Sequence, residues 1–126
     1  MLAEVSGISE ALKEGVVTYS NEAKEKYLGV SHETLAEFGA VSPETAREMA
    51  VGIRERSGAD IGVSITGIAG PGGGTEEKPV GLVYVGVAMK DAVIVKDLHL
   101  FGTRQKIRYA SVLYAMNEVR QRLLAE

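Results

Sequence analysis

Apolar residues along the chain follow two rhythms, helical spacing in some stretches and dense short runs in others, and the two alternate. Ala46, Met49, Ala50 and Ile53 mark one face of a helix. Ser42 is placed as its N-cap, Pro43 as its first residue and Glu44 at its positive end, and Gly58 stops it. Tyr109, Val112, Leu113, Met116, Val119 and Leu123 mark a second face, on a helix from about Arg104 toward Leu124, and this stripe is predicted to be core rather than a cofactor site. Two shorter helices are expected: Glu22 to Leu28, capped by Asn21 or Ser20 and stopped by Gly29, and Ser31 to Phe38, with Gly39 at its end. β-prone runs at Gly15–Tyr19 and Ile61–Ile65 precede two longer ones, Gly81–Met89 and Ala92–Phe101, whose brief connection at Lys90-Asp91 predicts an antiparallel hairpin. The alternation predicts one three-layer α/β/α domain with a mixed sheet over residues 1–126. Met1 to Gly7 reads as the tail of a helix entering a turn, as though a first strand and helix were lacking. Such a domain would leave apolar sheet surface uncovered, which predicts self-association into a homo-oligomer.

Composition narrows the chemistry. With 126 residues, 45% hydrophobic content and a formal charge of −3, the chain can bury a core and is poorly suited to nonspecific nucleic-acid binding. It has no cysteine, which excludes disulfides, thiolate metal sites and a cysteine nucleophile. No uninterrupted apolar stretch is long enough to span a bilayer, and the first residues lack a charged-then-apolar signal pattern, so a cytoplasmic setting is expected. His99 lies among Leu98, Leu100 and Phe101 and reads as a strand residue, and His32 as a first-turn surface residue, so no metal and no cofactor are expected.

Thr66-Gly67-Ile68-Ala69-Gly70-Pro71-Gly72-Gly73-Gly74-Thr75 carries too little side chain to be built for packing. Its successive N–H groups can converge on an anion or an oxyanion, and it leaves the end of a buried strand, where α/β sheets form ligand crevices. A flexible surface loop is the competing reading. Two nucleotide motifs fail here. A P-loop starting at Gly67 would need Lys where Gly73 stands, and a dinucleotide fingerprint starting at Gly70 would need Gly or Ala at Thr75 and a helix after it.

Arg104, Lys106 and Arg108 crowd the start of the last helix, and Lys24 follows the cap of the first. Cations there oppose the macrodipole, so either the boundaries lie a turn away or the charges serve an anionic ligand. Lys106 and Arg108 read as solvated surface. For Lys24, a positive helix end and burial both lower the ammonium pKa, as a general base requires, and Tyr19 is near enough in sequence to orient it. The alternative makes Lys24 a solvent-facing residue and Tyr19 a packed strand aromatic.

Several motifs in order, Gly15-Val16-Val17-Thr18-Tyr19-Ser20-Asn21-Glu22-Ala23-Lys24, Leu28-Gly29-Val30, Gly39-Ala40-Val41-Ser42, Thr66 to Gly73 and Lys78-Pro79-Val80-Gly81, closely resemble the C-terminal domain of the competence/damage-inducible protein CinA. The resemblance implies a nicotinamide mononucleotide deamidase, which hydrolyses the nicotinamide carboxamide to nicotinic acid mononucleotide and ammonia with a serine nucleophile and no metal. It implies a small-molecule nucleotide as partner, Lys24 as catalytic lysine and Tyr19 as its active-site neighbour. Thr66, Gly67, Gly70, Gly72 and Gly73 fall in the substrate loop, and Arg104 is assigned to the phosphate although Thr103 stands where the family has Asp. The family's Glu-Ser-Cys-Thr-Gly-Gly segment, with its serine, does not occur in this sequence. Ser20 belongs to the Tyr-Ser-Asn motif and Ser64 to a strand, so neither is expected to replace it. A noncatalytic nucleotide-binding or oligomerisation module is therefore the alternative function.

Overall fold

Hydroxyl caps and glycine stops set the first three helices. A computed structural model, which describes residues 2–125, places α1 at Asn21–Leu28, α2 at His32–Phe38 and α3 at Pro43–Ser57. Ser20, Ser31 and Ser42 each accept a hydrogen bond from the amide three residues on, so Ser20 and not Asn21 caps α1. Gly29 and Gly58 end α1 and α3 in the left-handed conformation, which a side chain would resist. Strands β1 at Gly62–Gly67, β2 at Leu82–Ala88 and β3 at Val93–His99 follow, and α4 spans Arg104–Ala125.

The sheet runs β1-β2-β3 and every described pairing is antiparallel, with Gly62 opposite Ala88 and Gly67 opposite Val83, then Leu82 opposite His99 and Ala88 opposite Val93. The expected mixed sheet is corrected to an antiparallel one. Consecutive strands here are joined by loops, and a parallel pair needs a crossover, usually a helix. Gly15–Tyr19, expected as a β-prone run, joins no strand among the described residues, and most of it is exposed. The expected helix tail at residues 1–7 is instead a 3-10 turn at Leu2–Glu4, with Met1 outside the described residues.

Three layers do form. On one face of the sheet α3 lies across all three strands. Ala46 and Ala50 of α3 are fully buried, and a side-chain carbon at Gly62 or Gly86 would run into their carbonyls. Ser64 and Thr66 project to this side, donating to Ala46 O (2.6 Å) and Ala40 O (2.7 Å). On the other face Val83, Val85 and Val87 pack with Ile107 and Ala115 of α4. A second cluster, Leu28, Val30, Leu35 and Met49, joins α1 and α2 to α3.

The residues of α4 that are buried are Ile107, Ser111 and Ala115. Of the stripe expected as core, Tyr109, Leu113 and Leu123 are exposed, and Val112, Met116 and Val119 are half-buried. Hydrophobic periodicity finds an apolar face, but the face that meets the sheet is the i, i+4 row of Ile107, Ser111 and Ala115, which lies around the helix from the expected stripe and includes two small residues. No described helix is long and apolar enough to cross a membrane.

Candidate functional site

β1 is an edge strand among those described, and a cavity of about 660 Å³ wraps its free edge. Its floor includes Val63 and Ile65, 37% and 38% exposed, and one wall is Ala40-Val41 of the α2–α3 connection. The glycine-rich loop closes the end where β1 stops. Tyr19, Lys24, Thr66, Gly67, Gly70, Gly72, Gly73 and Arg104, all candidates from the sequence, line this one cavity.

Lys24 is 6% exposed, and its Nζ donates to the carbonyl of Thr18 at 2.7 Å. Burial lowers its pKa, because desolvation disfavours the ammonium. The solvent-facing reading of Lys24 is thereby excluded. Thr18 was not legible as its partner, since a backbone acceptor leaves no side-chain signature. Tyr19 is 86% exposed and makes no hydrogen bond to Lys24 among the described residues, so the packed-aromatic reading also fails.

The glycines of the loop serve two purposes. A side-chain carbon at Gly67 would approach Val83 Cγ2 to 2.7 Å and Leu82 O to 2.9 Å, and one at Gly70 would meet Val80. These two glycines are required by the domain's own packing. At Gly72 nothing lies within 4 Å, and at Gly73 only Ile68 does, at 3.8 Å, so these two face open space. The N–H groups of Gly70, Gly72, Gly73 and Gly74 have no acceptor among the described residues, which leaves donors available to an anion.

Arg104 begins α4 as expected. Thr103 caps the helix, accepting from the Lys106 amide at 3.2 Å, so Arg104 and Lys106 do sit in its first turn, with Arg108 just beyond it. Arg104 Nη1 donates to Gly70 O at 3.0 Å, holding the near side of the loop, and its other guanidinium donors have no partner among the described residues. The two histidines pair with nearby carboxylates, His32 with Glu25 and His99 with Asp97, at the surface. No group of three or more His, Asp or Glu able to hold a metal occurs among the described residues.

Fold and site define an α/β domain in which one cavity joins a buried lysine to a loop of open amides. The chain belongs to the CinA C-terminal domain family, whose profile matches residues 1–123. It is 56% identical over 123 residues to a CinA-like protein of Kosmotoga olearia and 58% identical to a putative competence-damage inducible protein of Thermoanaerobacter pseudethanolicus, covering 98% of this chain in each case. It spans 30% of the length of either relative. Among solved structures, the competence/damage inducible protein CihA of Agrobacterium tumefaciens superposes with a TM-score of 0.91 at 44% identity, covering 94% of this chain and 73% of that one. A CinA superfamily protein of Klebsiella pneumoniae gives 0.94 at 33% identity, covering 99% and 78%.

Proposed function

We propose that this domain binds a pyridine mononucleotide and supplies the general base for hydrolysis of the nicotinamide carboxamide. One observation carries the reading: a buried lysine with a lowered pKa faces the same cavity as a run of unpaired loop amides and an arginine. In this reading the uncharged Lys24 amine takes the proton of a hydroxyl nucleophile, whose oxygen bonds the carboxamide carbon. The C–N bond then breaks, the departing nitrogen takes that proton and leaves as ammonia, and water releases nicotinic acid mononucleotide from the acyl intermediate. Amides of Gly72 and Gly73 are suited to the oxyanion or the phosphate, and Arg104 to the phosphate. Tyr19, at the cavity rim, is assigned to substrate contact or proton relay. The reaction calls for neither metal nor cofactor and suits a cytoplasmic setting.

A second reading, nucleotide binding without turnover by these 126 residues alone, is favoured by the hydroxyls. Ser64 and Thr66 line the cavity but donate to Ala46 O and Ala40 O, while Ser20 caps α1 and does not line it. Calorimetric titration with nicotinamide mononucleotide, alongside an ammonia-release assay, separates the readings. Binding without ammonia is the expected result for this chain. Ammonia release abolished by Ser64→Ala would place the nucleophile on β1, and the absence of any binding would sink both readings. Self-association is proposed as well, through the exposed apolar residues around Val63, Ile65 and Leu113, and sedimentation velocity over a concentration series tests it.

A further inference from the structure

Lys78 leaves the far side of the glycine-rich loop and crosses to the end of α2, where its Nζ donates to Phe38 O at 2.5 Å. It is half-buried while its neighbours Glu76 and Glu77 are exposed. The acceptor is one of the last carbonyls of a helix, where a cation is electrostatically favoured. Gly39, next along, has φ 82°, and a side-chain carbon there would stand 3.1 Å from the Lys78 ammonium, close enough to crowd it.

The contact joins two walls of the cavity. Ala40 and Val41 form one, and the Ala40 carbonyl is already fixed to β1 by the Thr66 hydroxyl. Gly72 and Gly73 form the other. Between Pro71 and Glu77 every loop residue is exposed, and of its glycines Gly74 comes close to Val80 while Gly72 and Gly73 face open space. Arg104 holds its near side at Gly70. On the far side, Thr75 and Lys78 close a small turn, Thr75 N–H to Lys78 O at 2.9 Å and Lys78 N–H to Thr75 Oγ1 at 3.0 Å, and among the described residues the Lys78 side chain makes the one hydrogen bond from that turn to the opposite wall.

We propose that Lys78 is a positioning residue, whose grip on the Phe38 carbonyl holds the glycine-rich loop against the α2–α3 connection and so sets the spacing of the open amides from the opposite wall. The proposal rests on the mononucleotide reading only for the identity of the ligand. Lys78→Met keeps the aliphatic stem and removes the donor, and Lys78→Arg keeps a cation able to reach a carbonyl.

The test compares both variants with the parent chain by amide hydrogen exchange and 15N relaxation, followed by titration with nicotinamide mononucleotide. In Lys78→Met the Thr75 amide should exchange roughly tenfold to a hundredfold faster, as loss of one charge-assisted bond implies. Order parameters at Gly72 and Gly73 should fall below about 0.6 while those of β2 stay unchanged. Affinity for the mononucleotide should weaken by roughly tenfold, and Lys78→Arg should recover most of each change. Unchanged exchange and relaxation in the loop of Lys78→Met would overturn the proposal, as would a uniform rise through β1 and β2. Should Lys78→Met not fold, Lys78→Gln is read by the same measurements and the same outcomes. If the parent binds no mononucleotide, the ligand reading fails while the loop measurements still decide the tether.

Discussion

The seam where α3 lies on β1 and β2 and the outer edge of β1 are built from the same strand and behave as opposites. At the seam, Ala46 and Ala50 meet Gly62 and Gly86 at backbone distance, and the buried hydroxyls of Ser64 and Thr66 each find a carbonyl. At the edge, Val63 and Ile65 remain partly exposed, and loop amides stand without acceptors. At the seam a hydrogen-bonded hydroxyl holds strand to helix, and beside the cavity an unpaired amide is left to a ligand, while Lys24 and Arg104 line the cavity and are also bonded to backbone carbonyls. The difference separates residues that build this domain from those available to a ligand, and it divides the glycines of a single loop between the two tasks.

The largest expected effect breaks the edge chemically. In a longer polypeptide that contains this domain and hydrolyses nicotinamide mononucleotide, Lys24→Ala should lower kcat by about 10²- to 10⁴-fold, with KM changed by less than roughly threefold, because a general base acts in the transition state. Steady-state kinetics check this. Turnover left intact would remove Lys24 from the mechanism and leave its burial without a catalytic purpose.

Next is a matched pair of glycine substitutions. Gly86→Val drives a branched side chain into Ala46 O and Ser64 Oγ, and should destabilise the fold by about 1–3 kcal/mol or more. Gly72→Ala meets nothing within 4 Å, and should stay within about 0.5 kcal/mol of the parent while weakening mononucleotide binding. Denaturant melts of both, with titrations of the second, sharpen the contrast. Equal stability losses would erase the distinction between seam and edge.

This division explains what the sequence could disclose. Caps and stops are local, so Ser20, Ser31, Ser42, Gly29 and Gly58 placed three helices within a residue or so. The candidate site residues were legible as types in motifs, and the fold brings them to one cavity. Three features were not legible, because each depends on a distant partner. The β2–β3 hairpin was legible from its short connection, but the antiparallel pairing of β1 with β2 follows from which strands meet, and the buried face of α4 from which of its residues reach Val83, Val85 and Val87. The Thr18 carbonyl became the Lys24 acceptor because the irregular segment before α1 joins no strand and passes the lysine. Lys78 stood in a recognisable motif without a task, since its acceptor lies 40 residues earlier in the chain.

Arg104→Ala comes third and tests whether one side chain serves both ligand and loop. Loss of a charge-assisted contact to phosphate should weaken the mononucleotide by roughly 10- to 100-fold and its dephosphorylated nucleoside much less. Arg104 also holds Gly70 O, and if that bond alone matters, loosening the loop should weaken nucleotide and nucleoside equally. Parallel titrations with the two ligands distinguish the cases. Equal losses would withdraw the phosphate assignment and leave Arg104 as a second loop anchor beside Lys78.

The smallest effect is a trend in stability with pH, and it tests the buried charge directly. Burial lowers the folded-state pKa of Lys24 below its unfolded value, so between the two values the unfolded chain binds more protons than the folded one. Stability therefore rises with pH across that window. Below the folded pKa the cost of burying the ammonium is present in full, and above the unfolded pKa it has gone. Lys24→Met removes this titration together with the bond to Thr18 O, and the loss of the bond gives an offset that depends on charge only where the lysine is charged. Other titrating groups are common to both proteins and cancel in the difference. The Tm of the parent should accordingly gain on that of Lys24→Met as pH is raised from neutrality toward the ordinary lysine range, as thermal melts at matched ionic strength would record. Parallel curves would mean that the ammonium is solvated in the folded chain, and the lysine at the edge of β1 would then carry no pre-set basicity for any reaction in the cavity.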